Sequence, residues 1–311
     1  MVSLLAAEYA VRHAFRDVSS AADTRTYFHQ PVVEQNSLGF RGREIGLVKA
    51  EHTYRIAVIG DSLTWGTGVP YGERFSDRLE EQLNTRRPAD AVYEVLNFGR
   101  VGWDIGDELD ALRTLVLKTS PDFVLLQWYV NDFENGDYGD RPHPASLVPW
   151  SAVHGVLLRA SALYSALQTQ WVSVQEKLGL VETYADYMYR RFGDPDGPDS
   201  TSAIELTRAF IEECGKRGVG VGLVLFPHVD ADLSAGRYRY DYLHERVLDA
   251  CRQEGVTCAD LRSTFAAYPD YLRLWASRLD AHPSALAHQL ATDRLMEAWG
   301  AFWLQARPAG R

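Results

Sequence analysis

Residues 59–66 read Ile59-Gly-Asp-Ser-Leu-Thr-Trp-Gly66 and follow the mostly apolar run Tyr54–Ile59. A small hydroxyl behind an Asp and between glycines, at the mouth of a buried strand, has two readings. One is a tight turn in which Ser62 caps a helix. The other is a nucleophile held at the carboxyl edge of a sheet, where open α/β folds bind their ligands. The surrounding pattern decides the fold and the remaining strand ends decide the reading.

Four further runs resemble buried strands: Tyr93–Leu96, Phe123–Trp128, Val219–Phe226 and Thr257–Leu261. They are nearly continuous in apolar residues rather than alternating, as strands covered on both faces are. Helical spacing fills the gaps. Phe75, Leu79 and Leu83 recur every four residues before Pro88, and Leu109, Leu112, Leu115 and Val116 do so before Pro121. Ile204–Arg217 ends in Lys216-Arg217-Gly218, Tyr242–Glu254 ends at Gly255, and a last helix over 284–305 carries Leu286, Leu290, Leu295, Trp299 and Phe302. Strand and helix in alternation predict a parallel, doubly wound sheet with helices on both faces. The alternation breaks between about 133 and 202, read as a helical insertion after the third strand. Its aromatics (Trp150, Tyr164, Trp171, Tyr184, Tyr187, Tyr189 and Phe192) are expected to form a small core of their own. Residues 1–50 read as a lead-in and 51–311 as the catalytic-type domain.

Composition narrows the partners. A formal net charge of −10 opposes nucleic acid or an anionic membrane surface as the main partner. The apolar start, MVSLLAAEYAVRHAFRD, is interrupted by Glu8 and lacks a basic leader, so it predicts neither a spanning helix nor a signal peptide. Three cysteines without a C-x-x-C pair read as reduced thiols suited to a cytosol, with Cys251–Cys258 as the pairing left open. The expectation is a soluble cytoplasmic protein, the alternative an exported or membrane-anchored one if the chain is truncated at its N-terminus.

The strand ends contribute, in order, Gly60-Asp61-Ser62-Leu63, Asn97-Phe98-Gly99-Arg100-Val101-Gly102, Tyr129-Val130-Asn131-Asp132 and, near the C-terminus, Leu279-Asp280-Ala281-His282-Pro283. Together these blocks resemble the SGNH (GDSL) hydrolases, as does the lead-in Asn36-Ser-Leu-Gly-Phe-Arg-Gly42. The resemblance implies a flavodoxin-like three-layer α/β/α fold with a five-stranded parallel sheet, and serine ester hydrolysis through an acyl-enzyme. It also implies an oxyanion hole formed by the backbone N–H groups of Ser62 and Gly99 and the Asn131 amide, with no cofactor.

The residue chemistry agrees. A Ser hydroxyl needs an adjacent base to act at neutral pH, and His282 supplies one. Pro283 favours extended backbone at His282, and side chains two apart share a side in such a segment. Asp280 is therefore placed to orient the imidazole toward Ser62, the logic of a Ser-His-Asp triad. Thr64 stands where the G-x-S-x-G elbow of the other common esterase fold has its second Gly. Two positions depart from the family. Tyr129 replaces the Gly of G-x-N-D, narrowing the pocket, and D-x-H replaces D-x-x-H, with Leu279 at the usual acid position. Relatives that O-acetylate alginate use the shorter spacing, so an O-acyltransferase is the first alternative and a non-catalytic binding protein the second. Substrates are expected to be esters of small molecules, carbohydrates or natural products. Tyr129 and His228 are candidate substrate contacts, and Asp61 and Asp132 are read as anchors of their turns. His228, Asp230 and Asp232 lack a second His at ligand spacing, so no metal is expected.

Overall fold

The computed structural model describes residues 2–14, 35–88, 91–278 and 280–306. Leu279 and most of the lead-in before Gln35 lie outside them. Five strands, β1 (Thr53–Gly60), β2 (Val92–Gly99), β3 (Phe123–Trp128), β4 (Gly220–Leu225) and β5 (Cys258–Asp260), form one sheet in the order β2-β1-β3-β4-β5, every pair parallel. All eight residues of β1 and all six of β3 are buried, because helices cover both faces. Two short strands outside the sheet, β6 (Trp275–Ser277) and β7 (Asp280–Pro283), pair antiparallel. Sequence periodicity missed them because each is too short to carry a pattern.

The order reverses at β1, whose neighbours β2 and β3 lead away on opposite sides. The crevice beyond its carboxyl end is the topological switch point, where such sheets receive ligands. On one face Phe75–Arg86 packs against the C-terminal helix Ala285–Gln305. On the other, Ile105–Thr114 packs against Pro198–Lys216, which in turn meets Asp241–Glu254.

Residues 133–202 hold helices and loops, with no strand among the described residues. Their aromatics do not form a core of their own. Tyr184, Tyr187 and Phe192, at the helix Tyr184–Phe192, join the main core, while Trp150 and Tyr189 are exposed. The main core draws the last insertion helix inward because that helix stands beside Pro198–Lys216.

The thiol reading is also corrected. Cys251 and Cys258 are disulfide-bonded, and only Cys214 remains a buried thiol. Gly255 ends the helix Asp241–Glu254 in a left-handed conformation (φ 68°) and turns the chain back on itself. The two Cα atoms therefore stand 6.3 Å apart, within bridging distance.

Candidate active site

Ser62 opens the four-residue helix Ser62–Trp65 directly after β1. Its neighbour Asp61 is the N-cap and accepts the Leu63 N–H at 2.8 Å. The capping role is thus filled by Asp61, and the Ser62 hydroxyl faces His282 instead. Ser62 Oγ lies 3.0 Å from His282 Nε2, and His282 Nδ1 lies 2.5 Å from Asp280 Oδ1. Asp280 Oδ1 also accepts the backbone N–H of His282 at 3.0 Å. The hairpin β6–β7 carries this pair to the sheet edge. The Trp275 indole donates to Val229 O (2.7 Å), tying the open end of the hairpin to the segment after β4, and Ser284 N–H donates to Leu274 O (2.8 Å), holding its two arms together there.

Electrostatics follow from that geometry. Burial alone would lower the His282 pKa, but the Asp280 bond and charge, helped by Asp61, raise it above the ordinary histidine value. For Asp280, burial works upward, yet the His282 bond and charge hold it below the usual carboxylate range. The two shifts have one cause, since across the 2.5 Å contact each group favours the charged form of the other. Asp61 is buried and pushed up to about 6, even though the Leu63 N–H bond opposes the rise.

Two residues to which sequence reasoning gave no role hold the turn at Ser62. Gln127 Oε1, at the end of β3, accepts Thr64 Oγ1–H (2.8 Å) and the N–H groups of Thr64 and Asp61 (3.2 and 3.3 Å). Asn97 donates from Nδ2 to Thr64 O (2.6 Å) and Ser76 Oγ (2.7 Å). The signal was present: Gln127 is the one polar residue of the run Phe123–Trp128, and Asn97 directly follows the run Tyr93–Leu96. Arg41 of the lead-in adds a third brace, its guanidinium donating to Gly66 O (2.5 Å) and Val69 O (2.8 Å).

The geometry at Gly99 departs from expectation. Its N–H donates to Asn97 Oδ1 at 3.0 Å, so it is already committed. A Cβ there would fall 2.2 Å from Trp65 N. The glycine is required by the backbone of the Ser62 helix rather than by a substrate oxygen. Three residues on, Trp103 N–H bonds Arg100 O (3.3 Å), closing a turn with Gly102 at φ +83°, as its third position demands. The Gly102 N–H has no acceptor among the described residues, and nothing lies within 4 Å of where its Cβ would be.

Asn131 reaches the same turn. Its Nδ2 donates to Trp103 O at 3.0 Å, which fixes the orientation of the amide, and its Oδ1 is buried without a partner among the described residues. Asp132 Oδ2 accepts the Tyr129 N–H at 2.8 Å and so holds the loop. Tyr129 and His228 meet each other, the phenol 2.7 Å from His228 Nδ1. Among the described residues no group of three or more His, Cys, Asp or Glu side chains is placed to hold a metal ion. Nor is any helix long and apolar enough to cross a membrane among them.

The family model described as GDSL-like Lipase/Acylhydrolase matches residues 58–290. Among solved structures, an α/β hydrolase enzyme from the metagenome of Lake Arreo, Spain, is similar, with 17% identity and a TM-score of 0.51. That match covers 81% of this chain and 97% of the other. A mutant of an acetyl-xylooligosaccharide esterase from Geobacillus stearothermophilus superposes with a TM-score of 0.50 at 14% identity, over 82% of this chain and 97% of the other. At such identities these neighbours establish the fold. None of the curated proteins matches.

Proposed function

Because the chain belongs to the GDSL-like lipase/acylhydrolase family, we propose that it is a serine ester hydrolase working through an acyl-enzyme on Ser62. One observation carries this reading: the unbroken contact from Ser62 Oγ through His282 to Asp280, at 3.0 and 2.5 Å. Asp280 accepts the Nδ1–H of His282, leaving Nε2 as the acceptor for the Ser62 hydroxyl. Ser62 Oγ attacks the ester carbonyl carbon while His282 takes its proton. The tetrahedral oxyanion is met by the N–H groups of Ser62 and Gly102 and the Asn131 amide, with Gly102 taking the part expected of Gly99. Collapse expels the alcohol, which receives the proton from His282. Water, activated by the same imidazole, then releases the carboxylic acid and restores Ser62.

Acyl transfer uses the same residues, with an alcohol in place of water in the second step, and the short Asp280-x-His282 spacing is the feature that favours it. Tyr129 and His228, tied together at 2.7 Å, are proposed as a wall of the substrate pocket. The Cys251–Cys258 bond favours an oxidising compartment over the cytosol.

The test is Ser62→Ala, assayed on a panel of p-nitrophenyl esters with and without glycerol. Turnover is expected to fall by about 10³-fold or more with an unchanged melting curve, leaving the oxyanion hole and binding as the only residual contributions. Retention of turnover within about tenfold would assign the nucleophile elsewhere. Ester formation with glycerol that outpaces hydrolysis in the wild type would select the transferase.

A further inference from the structure

The helix pair Ser151–Ala160 and Ala162–Lys177, joined by Val2–Ala14, contributes no residue to the main hydrophobic core. The three helices pack chiefly on one another. Of the eighteen exposed large hydrophobic side chains among the described residues, eleven lie on this unit and its flanking loops. Trp150 is 69% exposed, Leu180 67% and Leu4 66%.

The helix Ala162–Lys177 buries more polar side chains than apolar ones, with Leu163, Trp171 and Val172 only half-buried. It buries Ser165, Gln168 and Gln175, while Leu167 and Val174 face outward. A helix at a water-facing surface does the reverse, placing its apolar stripe inward. The outer side of Val2–Ala14 follows suit, with Leu4, Leu5 and Tyr9 exposed. Charge is missing as well. Between Arg141 and Glu176 stand thirty-four residues with one charged residue, Arg159, where the chain average of 24% would put about eight.

The buried polar groups say what faces this surface. Gln168 Oε1 accepts Leu147 N–H (2.8 Å), Gln175 Oε1 accepts Ala145 N–H (2.8 Å), and both amides donate to Ala145 O (3.3 and 3.0 Å). Glu8 accepts the N–H groups of Ala162 (2.9 Å) and Leu163 (3.0 Å) and the Ser161 hydroxyl (2.8 Å), closing the N-terminus of that helix. Loop backbone and a helix end are thus satisfied from within. A protein partner can supply such hydrogen bonds across an interface and tolerates charged residues at its rim. Hydrocarbon supplies none and penalises charge.

We propose that this three-helix face seats the protein on the surface of an uncharged lipid bilayer, as an interfacial platform that does not span it. Attraction is by apolar burial, so anionic lipid is not needed. The net charge of −10 on the whole chain opposes an anionic surface.

Flotation with phosphatidylcholine vesicles tests this on the full chain, against a variant carrying Trp150→Ser, Val153→Ser, Leu167→Ser and Val174→Ser. The wild type is expected to float equally in low and molar salt, and less well when phosphatidylglycerol is added. The variant should partition about tenfold less or weaker still, since four exposed apolar side chains are removed. A wild type that stays with the soluble fraction overturns the proposal. So does binding that requires phosphatidylglycerol and disappears in salt, or a dimer, seen by light scattering, that the variant dissolves. Should the variant melt early, amide exchange of the wild type with and without vesicles reads the same question. Protection confined to 147–180 and Val2–Ala14 supports the platform, and protection elsewhere or none refutes it.

Discussion

Asp280 uses a single oxygen, Oδ1, to accept both the ring Nδ1–H and the backbone N–H of His282. An Asn amide oxygen can take over both bonds, so Asp280→Asn keeps the imidazole tautomer and loses only the charge. The expected fall in kcat is about 10²-fold, the low end of general-base effects, rather than the ~10⁴ seen when an amide forces the wrong tautomer. The pH profile gives an independent check. His282 must be neutral to accept the Ser62 proton, and Asp280 holds its pKa up, so the acidic limb of kcat/KM should move to lower pH in the variant. An unmoved limb would remove Asp280 from the site. At this scale the sequence was most informative about which residues come together, as Ser62 and His282 do at 3.0 Å. It could not show that the Gly99 N–H is taken by Asn97 Oδ1, because whether an N–H is free depends on where a side chain points, and two glycines three apart look equivalent until that is known.

Among the elements, the helix Ile105–Thr114 holds a carboxylate where its periodicity marks only a core stripe. Glu108 is wholly buried beside Leu109 and Leu112, and neither of its oxygens has a partner among the described residues. Burial, then the charges of Asp132 and Asp61, raise its pKa well above the ordinary carboxylate value. The folded state therefore favours the protonated form. The stability this contributes is complete below the unfolded carboxyl pKa of about 4.3 and is lost as pH rises through the folded value. Glu108→Gln, neutral at every pH, should melt higher than the wild type at pH 8 and show a smaller difference at pH 5. Melting curves across that range check it, and an advantage that shrinks toward pH 8 would mean Glu108 is ionised in the fold. Such burial is not legible beforehand, since a Glu between apolar positions reads as the solvated edge of a stripe. The helix Ala162–Lys177, which buries Gln168 and Gln175 and exposes Leu167 and Val174, misleads in the complementary way. Its apolar residues recur, but periodicity reports that a face exists without reporting which way it turns.

For the molecule as a whole, the alternation of strand and helix settled the doubly wound sheet before any contact was known. The hairpin β6–β7 escaped notice and the Cys251–Cys258 pairing stayed open because both arise from chain reversals only a few residues long. The disulfide closes a short loop, with cysteines seven apart, and chain-entropy arguments give such a loop about 2 kcal/mol of stabilisation. Reductant should lower unfolding stability by about that amount in denaturant titrations, with Cys251→Ser matching the reduced wild type. A loss near zero would show that the native and unfolded states feel the link equally. The reach from Ser62 to His282 has a different consequence. The two residues are 220 apart in sequence, and the strands that present Ser62 and Asn131 all lie within the first 131 residues. Strands β1, β2 and β3 can therefore pair once Trp128 has been made, whereas His282 follows 154 residues later. Contacts of such wide separation form slowly, since a long loop must close before they are rewarded. On the proposed function, the nascent chain thus carries Ser62 unarmed until one small hairpin, β6–β7, docks and brings His282 within 3.0 Å of it.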